Sequence, residues 1–317
     1  MTTMFSDGIG SPLTWALFFV FVLAMLGLDL GVFHRKSHEV TFREAAGWSA
    51  VWVTLSLLFG AAVYVFAGPA HGVEFLTGYL IEKSLSIDNV FVFIVVFGAL
   101  KIAPRHQHKV LFWGVLSALV LRAGMIFGGA ALLERFHWLI YVFGAFLVVT
   151  GIKLYLTRNA AEEPGQRRLL GLIRRLIPST DRQDGDRFFT RENGRRLATP
   201  LFIALILIEV TDVIFALDSI PAIFAVTQDP FIVFTSNIFA ILGLRSLFFL
   251  LSGMVDKFHY LKVGLAGVLV FVGAKMTLVD FVKVPAWVSL GLIAAILLTS
   301  VVASLARAPA EERAVPQ

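Results

Sequence analysis

The chain is 317 residues long, 58% hydrophobic and only 15% charged, with a net charge of +5. A mean hydropathy of +0.83 excludes a soluble globular domain, and the lack of cysteine excludes disulfides, iron–sulfur clusters and cysteine-bound zinc. What remains is an all-α, polytopic membrane protein.

Nine apolar segments reach the ~20 residues that a helix needs to cross a bilayer. They fall near 13–33, 47–67, 73–100, 110–133, 137–157, 200–226, 231–252, 260–280 and 286–305. The first, Leu13–Phe33, has no basic stretch before it and is expected to remain as a span rather than be cleaved as a signal peptide. The loops Arg35–Arg43, Lys101–Lys109 and Arg158–Arg196 are basic, whereas Gly68–Gly72 and Thr227–Pro230 hold no Lys or Arg. Basic loops stay cytoplasmic. This predicts a cell-membrane protein with its N-terminus outside and its C-terminus, with Arg307 and Arg313, inside.

Residues 1–72 then hold two helices, 73–157 a three-helix unit and 158–199 a basic cytoplasmic loop. Residues 200–280 hold a second three-helix unit, and 281–317 the last helix and a tail. Within the loop, RRLLGLIRRLIP (Arg167–Pro178) sets arginines between apolar residues at helical spacing. That predicts an amphipathic helix lying on anionic lipids of the inner leaflet. Inside-positive loops account for the pI near 9.6, so no nucleic-acid partner is expected.

The two three-helix units are copies of one another. Each opens with Leu-Ile-Glu and a further acid: Glu82 and Asp88, then Glu209, Asp212 and Asp218. Each continues with an arginine deep in the next span, Arg122 and Arg245, then Phe-His-aromatic at the turn, Phe136-His137-Trp138 and Phe258-His259-Tyr260. Each ends on a glycine and a lysine two residues apart, Gly151 and Lys153, then Gly273 and Lys275. Three spans is an odd number, so the copies cross in opposite senses, the inverted-repeat plan of many secondary transporters. Lys153 and Lys275 sit near span ends and are read as snorkelling.

A carboxylate in the bilayer core costs roughly 2.5–3.5 kcal/mol on insertion scales. The spans nevertheless hold six acids, Asp29, Glu82, Asp88, Glu209, Asp212 and Asp218, against three bases, Lys83, Arg122 and Arg245. Three negative charges are left for a missing cation or for protons. On a regular helix Glu209 and Asp212 share a face, but residues six apart, Glu82–Asp88 and Asp212–Asp218, are splayed by about 120°. Pro221, with the small polar Asn89 and Ser219 directly after two of the aspartates, predicts opened turns at mid-membrane. Such turns would aim carboxylates and free carbonyls at one centre.

Oxygen-only ligands suit hard divalent ions such as magnesium, calcium and manganese. The seven histidines (34, 38, 71, 106, 108, 137, 259) all fall in loops or at span ends. Clustered carboxylates also hold protons more readily, which would allow proton–cation exchange. Glu82, Asp88, Asp212 and Asp218 are therefore the candidate metal ligands. Glu209 is a further ligand or a structural partner of Arg122 or Arg245. Asp29 is interfacial or part of a gate. Asn89 and Ser219 are supporting groups, and Asn237 is a ligand or a helix-packing hydrogen bonder. Lys83, Arg122 and Arg245 are counter-charges or gates. His106 and His108 read as a solvated face of a basic loop.

The runs LDLGVF (28–33), LIEKSLSIDNVFVF (80–93) and the stretch from TPLFIALILIEVTDVIFALDSIPAIF onward (199–251) resemble the TerC family of integral membrane proteins, over nearly the whole chain. The resemblance implies that Glu82, Asp88, Glu209, Asp212 and Asp218 occupy the family's acidic membrane motifs. It further implies manganese export and a link to tellurium resistance, the latter indirect because buried carboxylates repel oxyanions. The expectation is a secondary transporter exporting Mn2+, or Ca2+ or Mg2+, against protons, with no permanently bound cofactor. The alternative is a membrane-assembly or stress-response scaffold, a role linked to plant relatives. No Gly-x-Gly-Asp, His-Glu-x-x-His or Gly-x-Ser-x-Gly run occurs, so an enzyme is not expected.

Overall fold

The computed structural model of the chain describes residues 9–33, 41–136, 138–157, 164–192, 194–252, 260–282 and 284–306, with the side chains of 28–33, 88, 91 and 164–168 outside that description. Before the basic loop come α1 (Pro12–Phe33), α2 (Phe42–Phe66), α3 (Pro69–Ala99), α4 (Pro104–Arg135) and α5 (Leu139–Leu156). The loop itself folds as α6 (Pro164–Leu176) and a hairpin of β1 (Phe189–Glu192) and β2 (Arg195–Ala198). After it come α7 (Pro200–Phe224), α8 (Pro230–Leu242), α9 (Leu244–Ser252), α10 (Leu261–Thr277) and α11 (Ala286–Ala306). The helices α3, α4, α7 and α8 each open on a proline, whose missing N–H is one that a first turn leaves unbonded anyway. Asp229 caps α8 by accepting from the N–H groups of Phe231 (2.8 Å) and Ile232 (3.3 Å).

Five helices, α2, α4, α5, α7 and α11, are long and apolar enough to cross a membrane, and α8 with α9 makes a sixth if the bent pair is one span. The nine spans expected from hydropathy are therefore not all matched by length and composition. The apolar part of α1 is Pro12–Gly27, α10 has 17 residues, and α3 carries Glu74, Glu82, Lys83 and Asp88.

The neighbours follow a reciprocal pattern. Helix α3 packs on α8 as α7 packs on α4, while α3–α7, α4–α8 and α5–α10 each pack together. The closest of these crossings is α5 on α10. A Cβ placed on Gly144 would lie 2.9 Å from the carbonyl oxygen of Gly273, and one on Gly273 2.6 Å from that of Gly144. Gly151 faces the carbonyl of Ala266 in the same way, at 2.9 Å. Small residues let the two backbones touch, as membrane helices require in the absence of a hydrophobic drive.

The opened turns expected near Asp88 and Asp218 are not formed, because α3 and α7 run as continuous helices. Pro221 lies three residues from the end of α7, where one lost backbone hydrogen bond is tolerated. The break falls elsewhere, at Gly243, where α8 and α9 bend by 41°. The orphaned carbonyl of Ala240 there receives a hydrogen bond from Lys83 Nζ at 3.3 Å. An ammonium at a helix C-terminus also complements the helix dipole.

Apolar side chains form two cores. One gathers Phe75–Leu85 of α3, Leu119–Leu133 of α4 and Ala216–Phe224 of α7 with α1, α5, α8 and α10. The other gathers Val90–Leu100, Val110, Leu111, Leu201–Ile208 and α9 with the basic segment that holds α6 and the hairpin. The stretches between them, around 82–89 on α3 and 209–215 on α7, carry the polar groups.

The basic segment 164–198 is docked rather than free. Ile173 of α6 is buried in the second core, while Leu172 and Leu176 are exposed. His106, expected on a solvated face, is instead buried against Asp186, and the ring of His108 lies 4.3 Å from that of Phe249. Lys109 lies over the Phe188 ring, and Gln183 donates to the carbonyl of Lys101 at 2.9 Å. Sequence periodicity missed the hairpin because its strands are only four residues each.

Candidate ion-binding site

At the centre of the polar layer is Arg122 of α4, 1% exposed. Its Nη2 donates to Asp212 Oδ1 at 2.7 Å and its Nε to Asp212 Oδ2 at 3.0 Å, a bidentate fork. Its Nη1 pairs with Glu82 of α3 and reaches Asn237 Oδ1 of α8 at 3.4 Å. Asn89, two turns along α3 from Glu82, donates to Asp212 Oδ1 at 3.1 Å. Glu82, Asn89, Asp212 and Asn237 are all buried.

Four helices, α3, α4, α7 and α8, thus send polar side chains to one point. Two carboxylates against one guanidinium leave one negative charge there. The site is also incompletely bonded: Glu82 Oε2, Asn89 Oδ1 and Asn237 Nδ2 are buried with no hydrogen-bond partner. An unsatisfied buried polar atom costs about 1–3 kcal/mol, and a charged one more. Unpaired carboxylate and amide oxygens are what a hard cation would bind.

The other sequence candidates are placed differently. Glu209 faces α4, taking the hydroxyl of Ser117 on Oε1 at 2.6 Å and leaving Oε2 unpartnered. Asp218 turns away from the centre, as the 100° step of an unbroken helix requires. It lines a separate cavity of about 120 Å³ with Thr150 and Lys153 of α5, Leu85 and Leu269. Lys153, read as snorkelling, is exposed and lines the same cavity as the half-buried Asp218. Ser219 is buried with its hydroxyl unpartnered. Lys83 serves the end of α8 and makes no ion pair among the described residues. Arg245 is buried as the second residue of α9, directly after the bend. The side chains of Asp88 and Asp29 lie outside the described residues. Among the described residues no three acidic or imidazole groups close on one point as a ready-made cage.

Ser117 and Thr150 are polar partners that sequence reasoning missed. Both are small hydroxyl residues in apolar runs, and only their facing acids single them out.

The family model of the integral membrane protein TerC family matches residues 67–312. A membrane protein of Myxococcus xanthus is 64% identical over 312 residues, covering 98% of each chain. A candidate membrane-bound redox modulator of Escherichia coli, Alx, is 50% identical over 298 residues, covering 91% of this chain and 93% of its own. A membrane protein of Rickettsia bellii is 41% identical over 295 residues, covering 93% and 98%. No solved structure matches the chain.

Proposed function

Because the chain belongs to the TerC family of integral membrane proteins, we propose that it is a secondary transporter that exports a divalent cation, manganese foremost, in exchange for protons. The observation that carries this reading is the meeting of Glu82, Asn89, Asp212 and Asn237 around Arg122, with carboxylate and amide oxygens left unbonded. A buried acid pair that served only to pack would be expected to have its oxygens filled.

The reciprocal helix neighbours and the paired glycines of α5 and α10 support two three-helix units of opposite sense in a nine-span chain. Basic loops support an external N-terminus and a cytoplasmic C-terminus. In this arrangement one unit rocks against the other, and the ion between them faces each side in turn. Asp88, on α3 one residue before Asn89, belongs to the same proposed ligand set. The E. coli relative is described as a candidate redox modulator. With no cysteine in this chain, a redox effect here would run through what the protein moves rather than through thiols of its own.

The docked hairpin and α6 favour a second reading, a scaffold that holds partners on the cytoplasmic face. Deleting 181–196 would separate the two, because a scaffold loses its phenotype with metal flux intact. The transport test is metal uptake by purified protein in liposomes, with manganese, calcium and magnesium compared under an imposed pH gradient. Manganese uptake is expected, and Glu82→Gln, Asp88→Asn and Asp212→Asn should abolish it while leaving the protein in the membrane. No uptake of any of the three ions by the unaltered protein, or full uptake by all three variants, refutes the reading.

A further inference from the structure

We propose that Arg122 is a tethered counter-cation, resting on Asp212 and Glu82 when the transported ion is absent and moving to Glu209 when the ion arrives. The inference rests on the transport reading and assigns roles to two residues within it.

The geometry sets the argument. Both oxygens of Asp212 are engaged by the Arg122 guanidinium, and Oδ1 also accepts from Asn89. A divalent cation in contact with Asp212 would have to share the same two oxygens with a fixed positive charge. At about 4 Å, like charges in a poorly screened interior repel by several kcal/mol. Ion and guanidinium therefore exclude each other at Asp212.

The displaced guanidinium has a berth nearby. Glu209 lies three residues before Asp212 on α7, on the same face and about 4.5 Å along the axis. It already touches α4 through Ser117, at 2.6 Å, and its Oε2 is buried and unpartnered. Arg122 lies five residues after Ser117 on α4, about 7.5 Å along the axis, so the proposed move is a swing of its long side chain back along α4 toward Glu209. The structure thus holds an occupied berth for the arginine and a vacant acceptor one turn away.

The exchange has a consequence for transport. Two buried carboxylates without any cation are costly to carry through a change of facing, because each desolvated ion loses several kcal/mol. Arg122 on Asp212 and Glu82 makes that ion-free step accessible. Net transport needs the ion-free step, whereas one-for-one exchange of labelled for unlabelled manganese does not.

The test uses the full chain in liposomes and compares equilibrium manganese binding, manganese–manganese exchange and net uptake. Arg122→Gln is expected to bind manganese about tenfold more tightly, to keep exchange, and to lose net uptake by about tenfold or more. Glu209→Gln is expected to weaken manganese binding by about tenfold, since the guanidinium then has no alternative acceptor. Arg122→Lys, which keeps the charge, should recover part of the net uptake and carries the test if the glutamine variant does not fold. Loss of binding and exchange together with net uptake in both arginine variants overturns the inference and leaves Arg122 as a structural tie. Net uptake at the unaltered level in Arg122→Gln overturns it as well. An unaltered protein that neither binds nor moves manganese strikes the transport reading itself, and the inference with it.

Discussion

Gly273→Ala should open the α5–α10 crossing. The new methyl would sit 2.6 Å from the carbonyl oxygen of Gly144, 2.8 Å from the amide nitrogen of Val148 and 2.9 Å from its Cγ2. Ordinary contact begins at 3.4 Å, so the helices must part by 0.8 Å. Two of these three atoms are backbone and cannot rotate away. Overpacking of this kind costs about 1–3 kcal/mol, and separation at Gly273 also loosens the matching contact of Gly151 with Ala266. Alanine recovers about 1 kcal/mol through its better helix propensity. The net expectation is a loss of up to about 2 kcal/mol, read as a lower midpoint in thermal unfolding of the detergent-solubilised protein followed by tryptophan fluorescence. Gly291→Ala on α11 is the control, because a Cβ there meets nothing within 4 Å. It should be neutral or slightly stabilising. A Gly273→Ala protein that melts at or above the unaltered midpoint would refute the close crossing. So would equal damage from both substitutions.

Gly243→Val should disturb the bend between α8 and α9, because a Cβ there lies 2.9 Å from Lys83 Nζ and 3.1 Å from Trp52 Cβ. Lys83→Met should strand the Ala240 carbonyl and cost about 1–3 kcal/mol in the same assay, with Lys83→Gln milder because it can still donate. Equal midpoints for Met, Gln and Lys at this position would rule out the cap. The chain has no cysteine, so introduced ones report topology without background. A membrane-impermeant maleimide should label Gln228→Cys in intact cells and Gln183→Cys only after permeabilisation, and the reverse result inverts the proposed orientation. Asp186→Ala removes the partner of His106 and should expose the hairpin to protease in inside-out vesicles, whereas unchanged cleavage would show that the hairpin is held by other contacts.

The membrane class and the acidic layer could be read directly from the chain, because an apolar run of span length is a one-dimensional property and a carboxylate inside it stands out against its neighbours. Which acid meets which base could not. Arg122 is 90 residues from Asp212 and 40 from Glu82, and only helix packing decides that its fork closes on those two rather than on Glu209. Lys83 looked like a counter-charge for a carboxylate but is aimed at a backbone carbonyl, because a bend at Gly243 freed one there. Pro221 suggested a break in α7 that its place near the helix end does not enforce. With α7 continuous, the helical period sends Asp218 to another face and another cavity. Local composition therefore determined where charge enters the membrane interior, and the tertiary structure alone decided which charges share a site. Hydrophobicity acts residue by residue along the chain, whereas Coulomb and hydrogen-bond contacts depend on distances that exist only after the helices pack.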